Sequence, residues 1–159
     1  MNKKMKTTNV STHLMSCSEV VVHYKRPLFQ KMKSIASAQD VDAILRTYID
    51  ANLMDVKEFF WVLFLSRANS VLGISTINCG GIHGVSVNIR EIFQLTLLTH
   101  SVQIIICHNH PSGVLTPSNH DKQITKKIAE GLALFDVKLL DHLILTSESF
   151  LSFADEGIL

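Results

Sequence analysis

Residues 102–121, VQIIICHNHPSGVLTPSNHD, run from an apolar segment directly into a stretch that carries three histidines, two serines and an aspartate. Val102 to Cys107 reads as a strand that is apolar on both faces, as the middle of a covered sheet requires. Pro111, Gly113 and Pro117 are turn formers. Ser118 with Asp121 three residues later has the form of a capping box, Asp standing where Glu is usual, and opens a helix to about Phe135. Strand, loop and helix in this order point to an α/β layer arrangement.

Two details go beyond a turn. At 100° per residue, Asp121 falls in the same arc as Ile124, Ile128, Leu132 and Phe135, on the helix face turned to the sheet. A buried carboxylate needs a strong partner. His108 and His110 sit just past the end of the strand, where extended backbone sends i and i+2 to one side while Cys107 and Asn109 face away. Two imidazoles and a carboxylate then converge, and neutral His nitrogen and carboxylate oxygen are the donors that Zn²⁺ takes. Three such ligands with a fourth position left for water is the catalytic arrangement. The plainer reading stands beside it: Ser118 and Asp121 cap a helix, and the rest is a loop.

Outward from this stretch, Asp40 is a candidate cap for DVDAILRTYIDANL, where Val41, Ile44, Leu45, Tyr48 and Ile49 recur at helical spacing. KEFFWVLFLS and SVLGISTI are β-rich runs separated by the polar Ser66–Ser70, which makes a hairpin. Gly80, Gly81 and Gly84 mark a loop before a short strand around Val85-Ser86-Val87. Asn88 caps a second helix with Ile89, Ile92, Phe93 and Thr96 on one side. VKLLDHLILT returns as a strand, and ESFLSFADEGIL adds a last short strand and a loose end.

Hydrophobic residues make up 47% of the 159 and charged residues 18%, which suits one folded domain and excludes disorder. The apolar run Phe59–Leu65 is far shorter than the roughly 20 residues that span a bilayer, and no apolar core of a secretory signal follows the basic start. Three cysteines without paired spacing suit reduced thiols, hence a cytoplasmic protein. The net charge of +1 conceals a basic arm, residues 1–37, ahead of an acidic domain over 38–159; such an arm suits nucleic acid or an acidic partner. Nothing here sets an oligomeric state.

His108-x-His110, seven residues, Ser118, two residues and Asp121 together resemble the JAMM metalloprotease motif, and HNHPSG…TPS…D…T resembles its RadC-like branch. The resemblance extends through EFFWVLFLS, IREIF, LLDHLIL and SFADEGIL, roughly Ala38 to Leu159. It implies a single three-layer α/β/α domain with a mixed central sheet, cytidine-deaminase-like, of the JAMM/MPN type. It also implies zinc on His108, His110 and Asp121, with Ser118 beside the activated water, and it marks Glu58 as the acidic residue of an early strand, acting as catalytic base. The implied activity is zinc-dependent hydrolysis of an amide or isopeptide bond in a peptide substrate. The rival is a DNA-associated protein that acts on or binds nucleic acid in repair. This chain departs from the RadC-like pattern with Asn88-Ile89 in place of His-Pro, and it lacks the helix-hairpin-helix segment of longer members.

The remaining histidines fit less well. His120 points along the exposed side of the helix start, and His142 belongs to the core or behind a ligand. His13, His23, His83 and His100 have no partner spacing. The contiguous letters His108-Asn109-His110 are not an HNH nuclease motif, whose residues are dispersed.

Overall fold

The strand that carries His108, and past whose end His110 lies, is the centre of the molecule. The computed structural model describes residues 20–21, 23–28, 31–79 and 87–159. The order of elements is α1 (Ala38–Tyr48), a single 3₁₀ turn (Ala51–Leu53), β1 (Phe59–Leu65), β2 (Val71–Cys79), α2 (Ile89–Leu98), β3 (Gln103–Asn109), α3 (Asn119–Ala133), β4 (Lys138–Leu145) and β5 (Phe150–Ser152). The five strands form one mixed sheet in the order β2-β1-β3-β4-β5. β1 pairs antiparallel with β2 and β3, β3 runs parallel to β4, and β5 returns antiparallel. The parallel step is the one crossed by α3, since parallel neighbours need a crossover longer than a tight turn.

Alternation along the strands divides the core in two. Trp61, Leu63, Leu65, Ile105, Cys107, Leu143 and Leu145 face α1 with its Val41 and Leu45. Phe60, Val62, Phe64, Ile104 and Ile106 face α2 and α3 through Ile92, Ile128 and Leu132. The result is the expected α/β/α sandwich, and strands apolar on both sides are its direct consequence. Burying side chains of this size stabilises by about 1.5–3 kcal/mol each.

Two differences from the sequence reading have local causes. The cap of α1 is Ser37, not Asp40: its side chain accepts from the Asp40 N–H, and Asp40 reaches back to the Ser37 N–H, so the helix starts earlier and Asp40 is its third residue. Phe135 does not continue the buried face of α3. The helix ends at Ala133, Asp136 turns the chain with φ 55°, and Phe135 is left substantially exposed against Phe93. The buried face instead comprises Asp121, Thr125, Ile128 and Leu132. The other elements follow the expected order, with the loop over 80–86, most of the strand expected around Val85-Ser86-Val87, and residues 1–19 of the basic arm lying outside the described residues. Among the described residues no helix is long and apolar enough to cross a membrane.

Asn109 pins the approach to β1. Fully buried, it accepts from the Phe59 N–H (2.7 Å) and donates to the carbonyls of Met54 (2.7 Å) and Lys57 (2.8 Å). One amide thus satisfies three backbone groups of the segment that carries Glu58. Replacing it with Ala should lower unfolding free energy by about 2–4 kcal/mol, because buried partners are left unpaired. Asp at this position should do no better, since it retains the acceptor and loses both donors. Urea denaturation of the two variants checks this, and an Asp variant close to wild type would contradict it.

Candidate metal centre

Two elements build the site: the C-terminal end of β3, at the edge of its parallel pairing with β4, and the first turn of α3. This is the end of an α/β sheet where ligands bind. His108 is the penultimate residue of β3, paired to Phe60 across the sheet, and its ring stacks on that of Phe60. His110 follows on the same side. Its Nδ1 lies 2.6 Å from the carbonyl of Val114, brought there by a turn in which the Gly113 N–H donates to the His110 carbonyl and Gly113 takes φ 76°. That backbone is cheap only for glycine.

A carbonyl only accepts, so the His110 proton sits on Nδ1 and its Nε2 is bare in the neutral ring. This Nε2 is 2.9 Å from Nε2 of His108. Asp121 approaches from α3, with Oδ1 3.3 Å from His108 Nε2 and Oδ2 3.7 Å from His110 Nε2. The three donor atoms lie within 4.8 Å of one another. Lone-pair donors converging in this way suit a shared positive charge. Nitrogen, nitrogen and carboxylate oxygen is a set that a borderline divalent ion such as Zn²⁺ accepts. The residues present therefore fit a metal.

Asp121 does both things that its sequence position suggested. Ser118 Oγ accepts from the Asp121 N–H (3.1 Å) and the Ser118 N–H donates to Asp121 Oδ2 (2.6 Å), a complete capping box. Burial opposes the charge on Asp121, but hydrogen bonding and charge from His108, with the hydrogen bonds of the Ser118 cap, outweigh it and hold the carboxyl well below the usual carboxylate range. The stability this contributes is complete above the ordinary carboxylate pKa, about 3.9, and is lost as pH falls through the lower folded value.

Glu58 is not in the close group. It is half-buried, two residues before Phe60, just ahead of β1, whose pairing with β3 ends at Phe60↔His108. Ser118 accepts through its oxygen from Asp121, which leaves its own proton to donate. His120 is exposed, as expected. The sequence reading gave no role to Thr125 and placed His142 only generally. His142 is completely buried on β4, with Nε2 2.7 Å from His108 Nδ1 and Nδ1 2.6 Å from Thr125 Oγ1. Thr125 was legible as the residue one helical turn after Asp121.

The chain matches the family model described as the RadC-like JAB domain over residues 35–158. It is 46% identical over 128 residues to a UPF0758 protein of Flavobacterium johnsoniae, covering 80% of this chain and 55% of that one. It is 37% identical over 145 residues to a UPF0758 protein of Tolumonas auensis (91% and 63%) and 34% identical over 146 residues to one of Coxiella burnetii (92% and 64%). The chain thus spans somewhat more than half the length of these relatives.

The geometry makes one outcome specific. The protein should take up about one Zn²⁺ per chain, as a three-ligand site does, and His108→Ala or Asp121→Asn should abolish uptake. Because protons compete for the same nitrogens, affinity should fall as pH is lowered, and binding should release protons. Calorimetric titration in buffers of different ionisation enthalpy measures both; affinity independent of pH would contradict ligation by these imidazoles.

Proposed function

This chain belongs to the RadC-like JAB domain family, and from that membership and the convergence of three donor atoms we propose that it is a metal-dependent hydrolase of JAMM type. The bond cleaved is an amide or isopeptide bond in a peptide substrate. The observation that carries this reading is the donor set itself: His108 Nε2, His110 Nε2 and an Asp121 carboxylate within 4.8 Å, at the open end of the sheet.

In this reading His108, His110 and Asp121 hold the ion. A bound Zn²⁺ supplies Lewis acidity, lowering the pKa of water toward about 7 and polarising a carbonyl. The chain's own groups manage protons and charge. Glu58, two residues ahead of the Phe60 that pairs with His108, takes a proton from the attacking water and delivers it to the leaving amine as the C–N bond breaks, leaving a carboxylate and a free amine. Ser118 donates its free hydroxyl proton to the oxyanion that develops on the carbonyl. The α3 N-terminus, with its positive dipole end, favours the negative charge gathered there. Asn109 holds the backbone leading to Glu58 and so sets the distance between base and ions.

Glu58→Gln preserves shape and removes only the capacity to take a proton. Zn²⁺ content and fold should be unchanged, and hydrolysis should fall at least about 100-fold, the usual share of a positioned acid/base. Wild type and variant should be compared on a panel of peptide- and isopeptide-linked substrates and on single-stranded DNA. Loss of zinc in the variant would make Glu58 a ligand; turnover at the wild-type rate would exclude it as the base. Cleavage of the DNA panel alone would replace the peptidase reading with action on nucleic acid.

A further inference from the structure

A second layer of buried polar groups lies behind the metal centre. Thr125 Oγ1 is 2.5 Å from the Asp121 carbonyl, His142 Nδ1 is 2.6 Å from Thr125 Oγ1, and His142 Nε2 is 2.7 Å from His108 Nδ1. We propose that Thr125 and His142 form a tautomer lock that keeps a proton on His108 Nδ1 and so presents its bare Nε2 to the metal, a role that rests on the metal-site reading above.

The direction of the chain follows from donor and acceptor inventories. The Asp121 carbonyl can only accept, so the single Thr125 hydroxyl proton is committed to it. Thr125 Oγ1 is then available to His142 only as an acceptor, and His142 Nδ1 must carry the proton. The His142 ring is completely buried beside Phe60 and Phe153, and among the described residues its nitrogens meet only Thr125 and His108, with no carboxylate to offset a charge, so the ring is neutral and its Nε2 carries a lone pair. That lone pair faces His108 Nδ1 at hydrogen-bond distance, and two bare nitrogens there would repel. The proton between them therefore belongs to His108.

Packing holds the geometry as well as the protons. His142 is completely buried, with the ring of Phe153 4.6 Å away, and Phe60 lies beside both His108 and His142. Thr125 and Asp121 are one turn apart on α3, so the backbone that places the carboxylate ligand also anchors the lock. The same helix thus fixes both the position of one ligand and the protonation of another. Partners of this kind, hydrogen-bonded to the second nitrogen of a ligating imidazole, fix its tautomer and raise its basicity. His142 and Thr125 are positioning residues: neither contributes an atom to the close donor group.

The test uses the full chain. In metal-free protein at mildly alkaline pH, long-range ¹H–¹⁵N correlation should find the proton on Nδ1 in both His108 and His142; a proton on His108 Nε2 alone would overturn the lock. In Zn²⁺ titration against a competing chelator, His142→Leu should bind about 10- to 100-fold more weakly, as is usual when such a partner is removed. His142→Gln, whose side-chain oxygen can accept from His108 Nδ1, should recover most of that loss. Thr125→Val, nearly the same shape without the hydroxyl, should weaken binding in the same direction, and it keeps the test open if His142→Leu does not fold. Wild-type affinity in folded His142→Leu or Thr125→Val, or a Gln variant as weak as Leu, would overturn the lock while leaving the hydrolase reading intact. Failure of the wild type to take up Zn²⁺ would instead remove the hydrolase reading, and the tautomers of the metal-free protein would still decide the lock.

Discussion

Buried polar groups must be paired, and at the end of β3 that requirement acts on three consecutive residues pointing alternately to opposite faces of one sheet. Asn109 goes to the α1 side and spends its amide on the backbone before β1. His108 and His110 go to the α3 side, where the partners are a carboxylate, the Val114 carbonyl and a second buried histidine. Because β3 is the central strand, neither face can relieve the demand by opening to water along its length. The architecture therefore delivers polar chemistry to one end of an otherwise apolar sheet, and holds the preceding segment of β1 in register with it.

Asp121 is the point at which helix formation and chemistry share one side chain. One oxygen completes the cap of α3 and both face histidine nitrogens, so the energy that starts the helix also orients a ligand. Such economy lets the cap reading and the metal reading of Asp121 coexist: a carboxylate has lone pairs enough for a backbone N–H and an ion at once. It also couples stability to the site, since neutralising Asp121 weakens the helix start along with the ligand set.

Much of this was readable from residue order. Alternation and apolar runs identified the central strand, the hairpin and the crossover helix, and the i, i+2 spacing of His108 and His110 with Asp121 on the inner face of α3 anticipated the close group. The errors came where a short-range competitor won. Ser37 precedes Asp40 as a cap because a capping box needs both residues, and the third residue draws attention first. Phe135 continued the helical period in the sequence, but α3 ends at Ala133 and the chain turns at Asp136. His142 could be assigned to one face only after the register Ile106↔His142 was known, because strand neighbours Asp141 and His142 look opposite ways and sequence alone does not say which looks inward. The hydrogen bond from His142 to Thr125 depends on a β4–α3 packing that no local pattern encodes.

The scaffold fixes where the three donor side chains and their attendant groups stand; which bond would meet them is decided by surfaces that accept a substrate. The central claim is accordingly about coordination. X-ray absorption at the zinc edge of zinc-loaded protein tests it most directly. The account predicts a shell of two imidazole nitrogens and carboxylate or water oxygens at about 2.0–2.2 Å, with one imidazole lost in His110→Ala and none in His142→Gln. A sulfur ligand, or loss of an imidazole from the shell on replacing His142, would contradict it.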